Sequence, residues 1–533
     1  ERIRGEGVQN LENAIAAYTA ALSVYTKEAF PQYWAATQHN LANAYYSRIR
    51  GERAENIEQA IAYYNAALTV RTRDAFPQNY AETLWGLGNA YQDSKQFTSA
   101  YNTFASAIAT VESLREEIVS GEESKRKQAE EFNAFYSRMV EVCLELDNIT
   151  EAIEYVERSK TRNLVEQILE RDSKNIFPPE VFNKLETYRD EIAVGQYQIQ
   201  HGKAENPQEL AQHLQELRQQ RNELQNKYLP VGYGFNFDSF QPTLDKHTAI
   251  LEWYILYDKF LAFFVTQKGE VKVWQSQAED KADLVNWVNQ YLQDYYNQKD
   301  QWQNNLGEEL KKLAAILHID EILKQIPNHC DKLILIPHRF LHLFPLHALP
   351  VTSQNNQDSC CLLDVFPGGV SYAPSCQLLQ QLQQRERPNF QSLFAIQNPT
   401  EDLHQKDLGA VSAIKKQFLD SHILKQANAK KTEILHHDEN TKLFKLNEKL
   451  AQAHNIFFFC HGFFNPNSSL DSGLVLADEN ITLADIIAHF KLKKCRLVTL
   501  SACETGIIDS SNVSDEYIGL PYGFLLAGST NVV

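Results

Sequence analysis

A segment of the sequence recurs after 46 residues, and this recurrence limits what the first third of the chain can fold into. The string RIRGEGVQNLENAI at 2–15 returns as RIRGERAENIEQAI at 48–61, a shift of 48 − 2 = 46 residues. The same shift carries the Phe-Pro pair at 30–31 onto the Phe-Pro pair at 76–77. Apolar and small residues inside each unit recur at steps of three and four, which places them on one face of a helix. The sequence therefore predicts stacked helical hairpins.

The repeating unit resembles the tetratricopeptide repeat in a lengthened form. The string WGLGNAY at 85–91 is similar to that family's W-x-x-L-G-x-x-Y pattern, while the period of 46 residues exceeds the family's usual period of about 34. A third unit is expected over about 80–115, and a divergent fourth from Ala129 to about Arg171, so the array is predicted to span 1–175. The resemblance implies a solenoid whose concave face binds a protein partner, with a purely spacing role as the alternative.

The sequence turns polar and rich in Gln and Glu over about 177–230. Leu210, Leu214, Leu217 and Leu224 share one helical face there, which predicts a helical hairpin or linker over 176–240. A coiled-coil dimerisation arm is disfavoured, because apolar heptads are not sustained over several turns of the pattern.

The hydrophobic period changes at about Asp245. Short aromatic and β-branched runs such as TAILEWYIL and KFLAFFVTQ are separated by polar turns, and KLILIPH at 332–338 is typical of a fully buried strand. The predicted fold is therefore an α-helical repeat solenoid followed by an α/β domain over 241–533 with a mostly parallel central sheet.

Charge and cysteine content exclude several classes of protein. Acidic residues outnumber basic ones by 68 to 51, a net charge of −17, so direct binding to nucleic acid or to an anionic membrane is not expected. No apolar run approaches the ~20 residues of a membrane span. The eight cysteines are dispersed, which favours reduced thiols in a cytoplasmic protein. Since the sequence opens inside a repeat and its only methionine is Met139, we expect a fragment of a longer chain.

Two strand-like runs in the last hundred residues end on residues capable of nucleophilic chemistry. HNIFFFC at 454–460 is followed by His461 and Gly462, and CRLVTL at 495–500 is followed by a turn that contains Cys503. A helix-like segment, ITLADIIAHF, lies between them. A strand, a crossover helix and a parallel strand bring both strand ends to one edge of a sheet, so His461 and Cys503 are expected to lie close together.

A histidine beside a cysteine suits covalent catalysis on a carbonyl group. The imidazole takes the thiol proton, the thiolate forms an acyl-enzyme, and the same histidine protonates the leaving amine. Gly462 has no Cβ, so its N–H, together with that of Cys503, is the candidate oxyanion hole.

The strings FFFCHG and LVTLSACETG, together with LILIPHRFLHLFPLHALP (333–350), CLLDVFPGGVSYAPSCQLL (361–379) and LVLADENITLADI (474–486), resemble the CHAT domain of caspase-like cysteine peptidases. The resemblance covers about 245–533, and that family is often fused to tetratricopeptide repeats. It implies a caspase-like α/β fold with His461 and Cys503 as the catalytic dyad. It also implies roles in prokaryotic signalling, defence or differentiation, with the repeat array targeting or regulating the peptidase.

Other candidate residues have plainer interpretations. Cys330, Cys376, Cys460 and Cys495 lie in apolar surroundings and are expected to be small buried hydrophobes. His338, His342 and His347 follow a predicted buried strand, and the sequence has neither HExxH nor CxxC, so no metal is expected. No P-loop or GxGxxG opens a helix, and no cofactor is expected.

Asp509, Asp515 and Glu516 follow Cys503 closely enough to line a substrate pocket that favours Arg or Lys. For any one of them, a solvated position in a loop is the simpler interpretation.

The sequence departs from the CHAT pattern at its end, because the strand that GSTNVV begins stops at Val533. A separate C-terminal fragment that completes the fold is one hypothesis. The function expected overall is that of a cysteine endopeptidase that cleaves a protein substrate. The alternative is a catalytically silent pseudopeptidase that acts as a repeat scaffold.

Overall fold

The computed structural model of the protein describes residues 7–114, 122–160, 177–228, 235–352, 360–385, 388–403, 409–438, 443–465, 468–506 and 518–533. The chain divides into two compact units. Residues 1–158 and 179–233 form the first unit, and residues 159–178 and 234–533 form the second. The predicted limits of 1–175, 176–240 and 241–533 remain predictions.

The first unit is helical. Its helices are α1 Gly7–Ala21, α2 Pro31–Tyr46, α3 Arg53–Leu68, α4 Pro77–Asp93, α5 Phe97–Ser113, α6 Glu122–Glu145, α7 Ile149–Ser159, α8 Pro179–Gln200 and α9 Pro207–Tyr228. Helices α2 and α4 both begin on the proline of a Phe-Pro pair, where a proline's missing N–H costs no hydrogen bond. The starts of α2 and α4 are separated by 46 residues, which confirms the repeating helical hairpins.

Small residues allow the helices of the repeats to approach closely, as the sequence predicts. A Cβ added to Gly86 would lie 2.4 Å from the ring of Tyr64, and one added to Gly88 would lie 2.5 Å from the ring of Phe104. Ala60 and Ala90 are completely buried. Each aromatic ring therefore fills the space that a larger side chain at the facing position would occupy.

Helices α8 and α9 pack against each other and belong to the first unit. Ile192 and Ile199 of α8 pack against Leu214 and Leu217 of α9, while Leu210 and Leu224 lie at the margin of this cluster. The side-chain amide of Gln196 donates a hydrogen bond of 2.9 Å to the carbonyl oxygen of Ala75 in the repeat array.

The second unit combines helices and strands. Its helices are α10 Phe237–Phe240, α11 Ala278–Asn297, α12 Lys299–Ile316, α13 Ile319–Leu323, α14 Leu362–Val365, α15 Cys376–Gln383, α16 Gly409–Lys415, α17 Lys431–Ile434, α18 Glu448–Ala451, α19 Leu483–His489 and α20 Leu520–Ala527. Its strands are β1 Thr248–Ile255, β2 Phe260–Thr266, β3 Lys272–Gln275, β4 Lys332–Ile336, β5 Pro350–Val351, β6 Cys360–Cys361, β7 Gly369–Tyr372, β8 Ser392–Gln397, β9 Asp420–Lys425, β10 Leu435–Asp438, β11 Leu443–Leu446, β12 Asn455–Phe459, β13 Gly462–Phe463, β14 Gly473–Leu474, β15 Ile481–Thr482 and β16 Leu497–Ser501. Short 3₁₀ turns occur at Gln241–Thr243, Arg339–Leu343, Leu346–Ala348, Gln426–Asn428 and Ser469–Asp471.

One sheet of the second unit is mixed, with strand order β3-β2-β1-β4-β7. The pairs β1–β2 and β2–β3 are antiparallel, whereas β4 lies parallel to both β1 and β7. Leu333, Leu335 and Ile336 of β4 are completely buried, which confirms the buried strand predicted at KLILIPH.

The other large sheet has the order β16-β12-β8-β9, and all of its strands are parallel. Phe457 and Phe459 of β12 pack in a cluster on one face with Val411 of α16, while Phe458 contacts Phe524 of α20 with ring centroids 5.5 Å apart. Apolar residues cover both faces, as is usual where helices flank parallel strands. An α-helical repeat array and an α/β domain with a parallel sheet confirm the predicted fold class.

The last residues of the sequence lie beside β16 of this sheet. Val498 of β16 donates a hydrogen bond to the carbonyl of Asn531, and Val533 donates one to the carbonyl of Val498. Val532 forms an isolated parallel bridge with Val498 of β16.

Within the described residues, no helix combines the length and the apolar character that crossing a bilayer requires.

Candidate active site

His461 and Cys503 occupy equivalent positions just after two neighbouring strands. In the parallel pair of β12 and β16, Asn455 is opposite Leu497 and Phe459 is opposite Ser501, so each residue faces the one 42 positions later. His461 and Cys503 are also 503 − 461 = 42 positions apart, and each follows the end of its strand by two residues. The carboxyl ends of parallel strands share one edge of the sheet, which is where α/β folds commonly place their sites.

The segment that follows β12 touches the turn that follows β16. Gly462 begins β13, and a Cβ added to it would lie 2.5 Å from the backbone carbonyl oxygen of Cys503 and 3.0 Å from Cγ2 of Thr505. No side chain fits in that space without a shift of the backbone. The structure thus brings together Gly462 and Cys503, the two residues expected to supply N–H groups to an oxyanion.

Glu504, the residue after the cysteine, was not singled out by the sequence. It adopts a left-handed conformation with φ of 59°, which is uncommon for a residue that carries a Cβ. Its carboxylate accepts a hydrogen bond of 3.0 Å from the backbone N–H of Phe464. The turn that carries Cys503 is therefore tied to the segment that carries His461 at a second point.

An acidic residue from a third strand also lies at this edge. Asp402 follows β8, the strand beside β12 on the side away from β16, and its Oδ1 lies 3.0 Å from Nε2 of His461. Hydrogen bonds from the hydroxyl of Thr400 and from His461 hold the pKa of Asp402 below its usual range. The only sequence signal was the position of Asp402 just after an apolar run, and sequence alone does not show that β8 lies next to β12.

The cysteines differ sharply in exposure. Cys503 is exposed, whereas Cys330, Cys376, Cys460 and Cys495 are buried, which confirms the interpretation of these four as small core residues. Burial raises the pKa of Cys460 to about 12 and that of Cys495 to about 11. Neither thiol forms much thiolate at neutral pH, so neither competes with Cys503 as a nucleophile.

The histidines that follow β4 have structural partners. Nδ1 of His338 accepts a hydrogen bond of 2.9 Å from the backbone N–H of Ile255, and the ring is completely buried. Nδ1 of His347 lies 2.9 Å from the hydroxyl of Tyr372. Burial, with the charges of Lys160 and His338 acting in the same direction, lowers the pKa of His342 well below its ordinary value. In the part of the chain that is described, none of these three histidines joins two other potential metal ligands.

The three acidic residues expected to line a substrate pocket, Asp509, Asp515 and Glu516, lie outside the described residues.

Comparisons with known proteins assign the C-terminal part of the chain. Residues 307–533 match the family described as the CHAT domain, a match that includes His461 and Cys503. No curated protein matches the chain significantly.

Among solved structures, the chain is similar to a crystal structure of nearly identical TPR-like repeats from a Podosopora anserina kinesin light chain protein. The identity is 17%, the alignment covers 41% of this chain and 89% of that chain, and the TM-score is 0.22.

The order of motifs, the parallel sheet and the family match agree for the second unit. Residues 307–533 match the CHAT domain family, and in this chain they follow helical hairpins whose sequence repeats every 46 residues.

Proposed function

We propose that the protein is a cysteine endopeptidase in which His461 and Cys503 form the catalytic dyad. The observation that carries the proposal is the shared register of the two residues, each two positions past the end of neighbouring parallel strands. The match of residues 307–533 to the CHAT domain supports the same assignment. A scaffold would have no chemical need of a histidine and an exposed cysteine at matching strand ends.

The proposed reaction proceeds through an acyl-enzyme. The thiol proton of Cys503 passes to the ring of His461, and Sγ attacks the carbonyl carbon of the scissile peptide bond. Collapse of the tetrahedral intermediate breaks the C–N bond, and His461 returns its proton to the leaving amine. A water molecule, deprotonated by His461, then hydrolyses the thioester and releases the new carboxylate.

Gly462 is suited to stabilise the intermediate's oxyanion. The backbone N–H of Val475, the residue after β14, donates a hydrogen bond of 2.9 Å to the carbonyl oxygen of His461. The backbone N–H and C=O groups of His461 therefore face β14. Because successive residues of a strand direct their N–H and C=O groups to opposite sides, the N–H of Gly462 is directed away from β14. We assign this N–H and that of Cys503 to the oxyanion hole.

Three further proposals concern where the enzyme acts, which side chain it prefers in a substrate and what its helical repeats bind. The described cysteines form no disulfides, which fits a cytoplasmic enzyme. An acidic pocket formed by Asp509, Asp515 and Glu516 would favour Arg or Lys before the scissile bond. The helical repeats would bind a protein that regulates the peptidase or delivers its substrate, in a prokaryotic signalling or defence response.

Active-site labelling tests the proposal. A peptide acyloxymethyl ketone that carries Arg or Lys is added to the wild-type protein and to the Cys503→Ala and His461→Ala variants, and the adduct is located by peptide mapping. Cys361→Ala is the matched control, because Cys361 is a half-buried thiol remote in sequence from the site. Labelling confined to Cys503, lost in both dyad variants and kept in Cys361→Ala, is the expected result.

An unlabelled wild-type protein would contradict the proposal and favour the pseudopeptidase. Labelling of Cys503 that persists in His461→Ala would instead remove His461 from the dyad. An adduct formed only with reagents that lack a basic residue would support the dyad and reject the proposed preference for Arg or Lys.

A further inference from the structure

Asp402 is presented to His461 by a loop that is anchored on the strand carrying that histidine. Asn398, the first residue after β8, is 4% exposed and donates its backbone N–H to the carbonyl oxygen of Phe459 at 2.8 Å. Phe459 is the last residue of β12, two positions before His461. The start of the loop is thus fixed relative to His461 by a buried backbone hydrogen bond.

The other end of the same loop is also held. The side-chain oxygen of Asn398 accepts a hydrogen bond of 3.1 Å from the backbone N–H of Leu403, the residue after Asp402. Leu403 packs against the apolar cluster that contains Phe457 and Phe459 of β12. Asp402 therefore lies between two anchored residues, which distinguishes it from an acidic residue on an unconstrained surface loop.

The carboxylate itself is oriented from two sides. The hydroxyl of Thr400 donates a hydrogen bond to Oδ1 of Asp402, the same oxygen that lies 3.0 Å from Nε2 of His461. Both contacts favour the ionised carboxylate, and they lower the pKa of Asp402. At neutral pH the carboxylate is therefore only an acceptor, and it accepts a hydrogen bond from the Nε2–H group of His461.

We propose that Asp402 is a positioning residue that fixes the orientation and the tautomer of the His461 ring. With the proton on Nε2 donated to Asp402, Nδ1 is the nitrogen that accepts the thiol proton of Cys503. The carboxylate also stabilises the imidazolium that exists while His461 holds that proton. The catalytic consequence rests on the proposed peptidase function, whereas the orientation of the ring does not.

The experiment compares Asp402→Asn and Asp402→Ala with Glu401→Gln. Glu401 is the adjacent exposed residue, so Glu401→Gln removes one negative charge from the same loop without removing the contact to His461. Titratable side chains described on the three loops at this edge are Glu401, Asp402, Cys460, His461, Cys503 and Glu504, and the last five are identical in the control. Thermal unfolding establishes that each variant is folded.

The first readout is the rate of Cys503 labelling by the acyloxymethyl ketone as a function of pH. Asp402→Asn is expected to slow labelling at pH 7 by about fivefold, as suits a partly exposed pair, and to shift the pH profile upward. Glu401→Gln should overlay the wild-type profile. Equal profiles for Asp402→Asn and Glu401→Gln would overturn the proposal, because a shared effect would come from net charge alone.

The second readout does not need an active enzyme. With ¹⁵N-labelled histidine, the ring signals of His461 are identified as those missing from His461→Ala. The ¹⁵N shifts of the two ring nitrogens are expected to show the Nε2–H tautomer in the wild type and in Glu401→Gln, and a mixture of the two tautomers in Asp402→Ala. Identical ring signals in Asp402→Ala and wild type would overturn the positioning role. The Nε2–H tautomer in a wild-type protein that does not label would support the contact while contradicting the peptidase.

Discussion

The carboxylate of Glu504 accepts a hydrogen bond of 3.0 Å from the backbone N–H of Phe464, and this contact joins the loop of the nucleophile to the loop of the histidine. The two loops follow strands that already pair through their backbones, with Phe459 opposite Ser501. Among the described residues, the ladder between β12 and β16 ends at this pair, so the relative position of His461 and Cys503 depends on contacts of this kind.

Replacing Glu504 with Ala should misplace the nucleophile without unfolding the domain. Glu and Ala both carry a Cβ, so the left-handed backbone at this position costs about the same in each, and the difference reports the lost contact to Phe464. Labelling of Cys503 is expected to slow by about tenfold, since small displacements of reacting groups are costly. Glu504→Gln retains an acceptor oxygen and should lie closer to wild type. Wild-type labelling rates in Glu504→Ala would show that the loops keep their positions without this hydrogen bond.

A methyl group at Gly462 should damage the site, whereas one at Gly506 should not. A Cβ at Gly462 would meet the carbonyl oxygen of Cys503 at 2.5 Å, while a Cβ at Gly506 would meet nothing within 4 Å. Gly462→Ala must therefore displace the turn that carries Cys503, and labelling is expected to fall by about 100-fold. Circular dichroism and labelling rates measured on both variants provide the comparison. Equal labelling of Gly462→Ala and Gly506→Ala would disprove the close approach.

Alkaline solution should destabilise the second unit through Cys460. Burial raises the pKa of this thiol from 9.0 to about 12, so the folded state keeps the proton that the unfolded chain releases. The stabilisation is complete below about pH 9 and is lost as the pH rises from about 9 towards 12. Between pH 8 and pH 10 we expect a loss of about 1.4 kcal/mol that is absent in Cys460→Ala.

Urea unfolding at the two pH values measures this difference, and Cys503→Ala is the control because its side chain is exposed. The same pH dependence in Cys460→Ala and wild type would assign the alkaline loss to other groups.

Two helical glycines should respond to Ala in opposite directions. Gly88 of α4 faces the ring of Phe104 at a distance that leaves no room for a methyl group, so Gly88→Ala should destabilise the repeat array by about 1–3 kcal/mol. Gly307 in α12 has open space around it, and Gly307→Ala should stabilise its helix by about 0.5–1 kcal/mol. Chemical denaturation of both variants tests the pair. Stabilisation by Gly88→Ala would mean that α4 and α5 can move apart without a loss of folding free energy.

Local sequence patterns predicted the strands and the residues of the site better than they predicted which of these lie side by side. The strands at 455–459 and 497–501 follow from largely apolar runs, and the residues after them stood out because a histidine at one strand end and a cysteine near another suit nucleophilic chemistry. Family resemblance then assigned roles to His461 and Cys503. The placement of Asp402 could not be predicted in this way, because it depends on the sheet order, in which β8 lies next to β12 although three strands separate them along the chain.

Local sequence was enough to specify the repeating helical hairpins, the positions of the strands and the buried state of Cys460. These features follow from side-chain periodicity and from backbone preferences, which act over a few neighbouring residues. The folded chain alone reveals that Asp402 meets His461, that Glu504 accepts a hydrogen bond from Phe464, and that Gly462 lies against the carbonyl of Cys503. Each of these contacts joins segments that lie about 40 to 60 residues apart in the chain, and such pairs meet only after the parallel sheet has set its register.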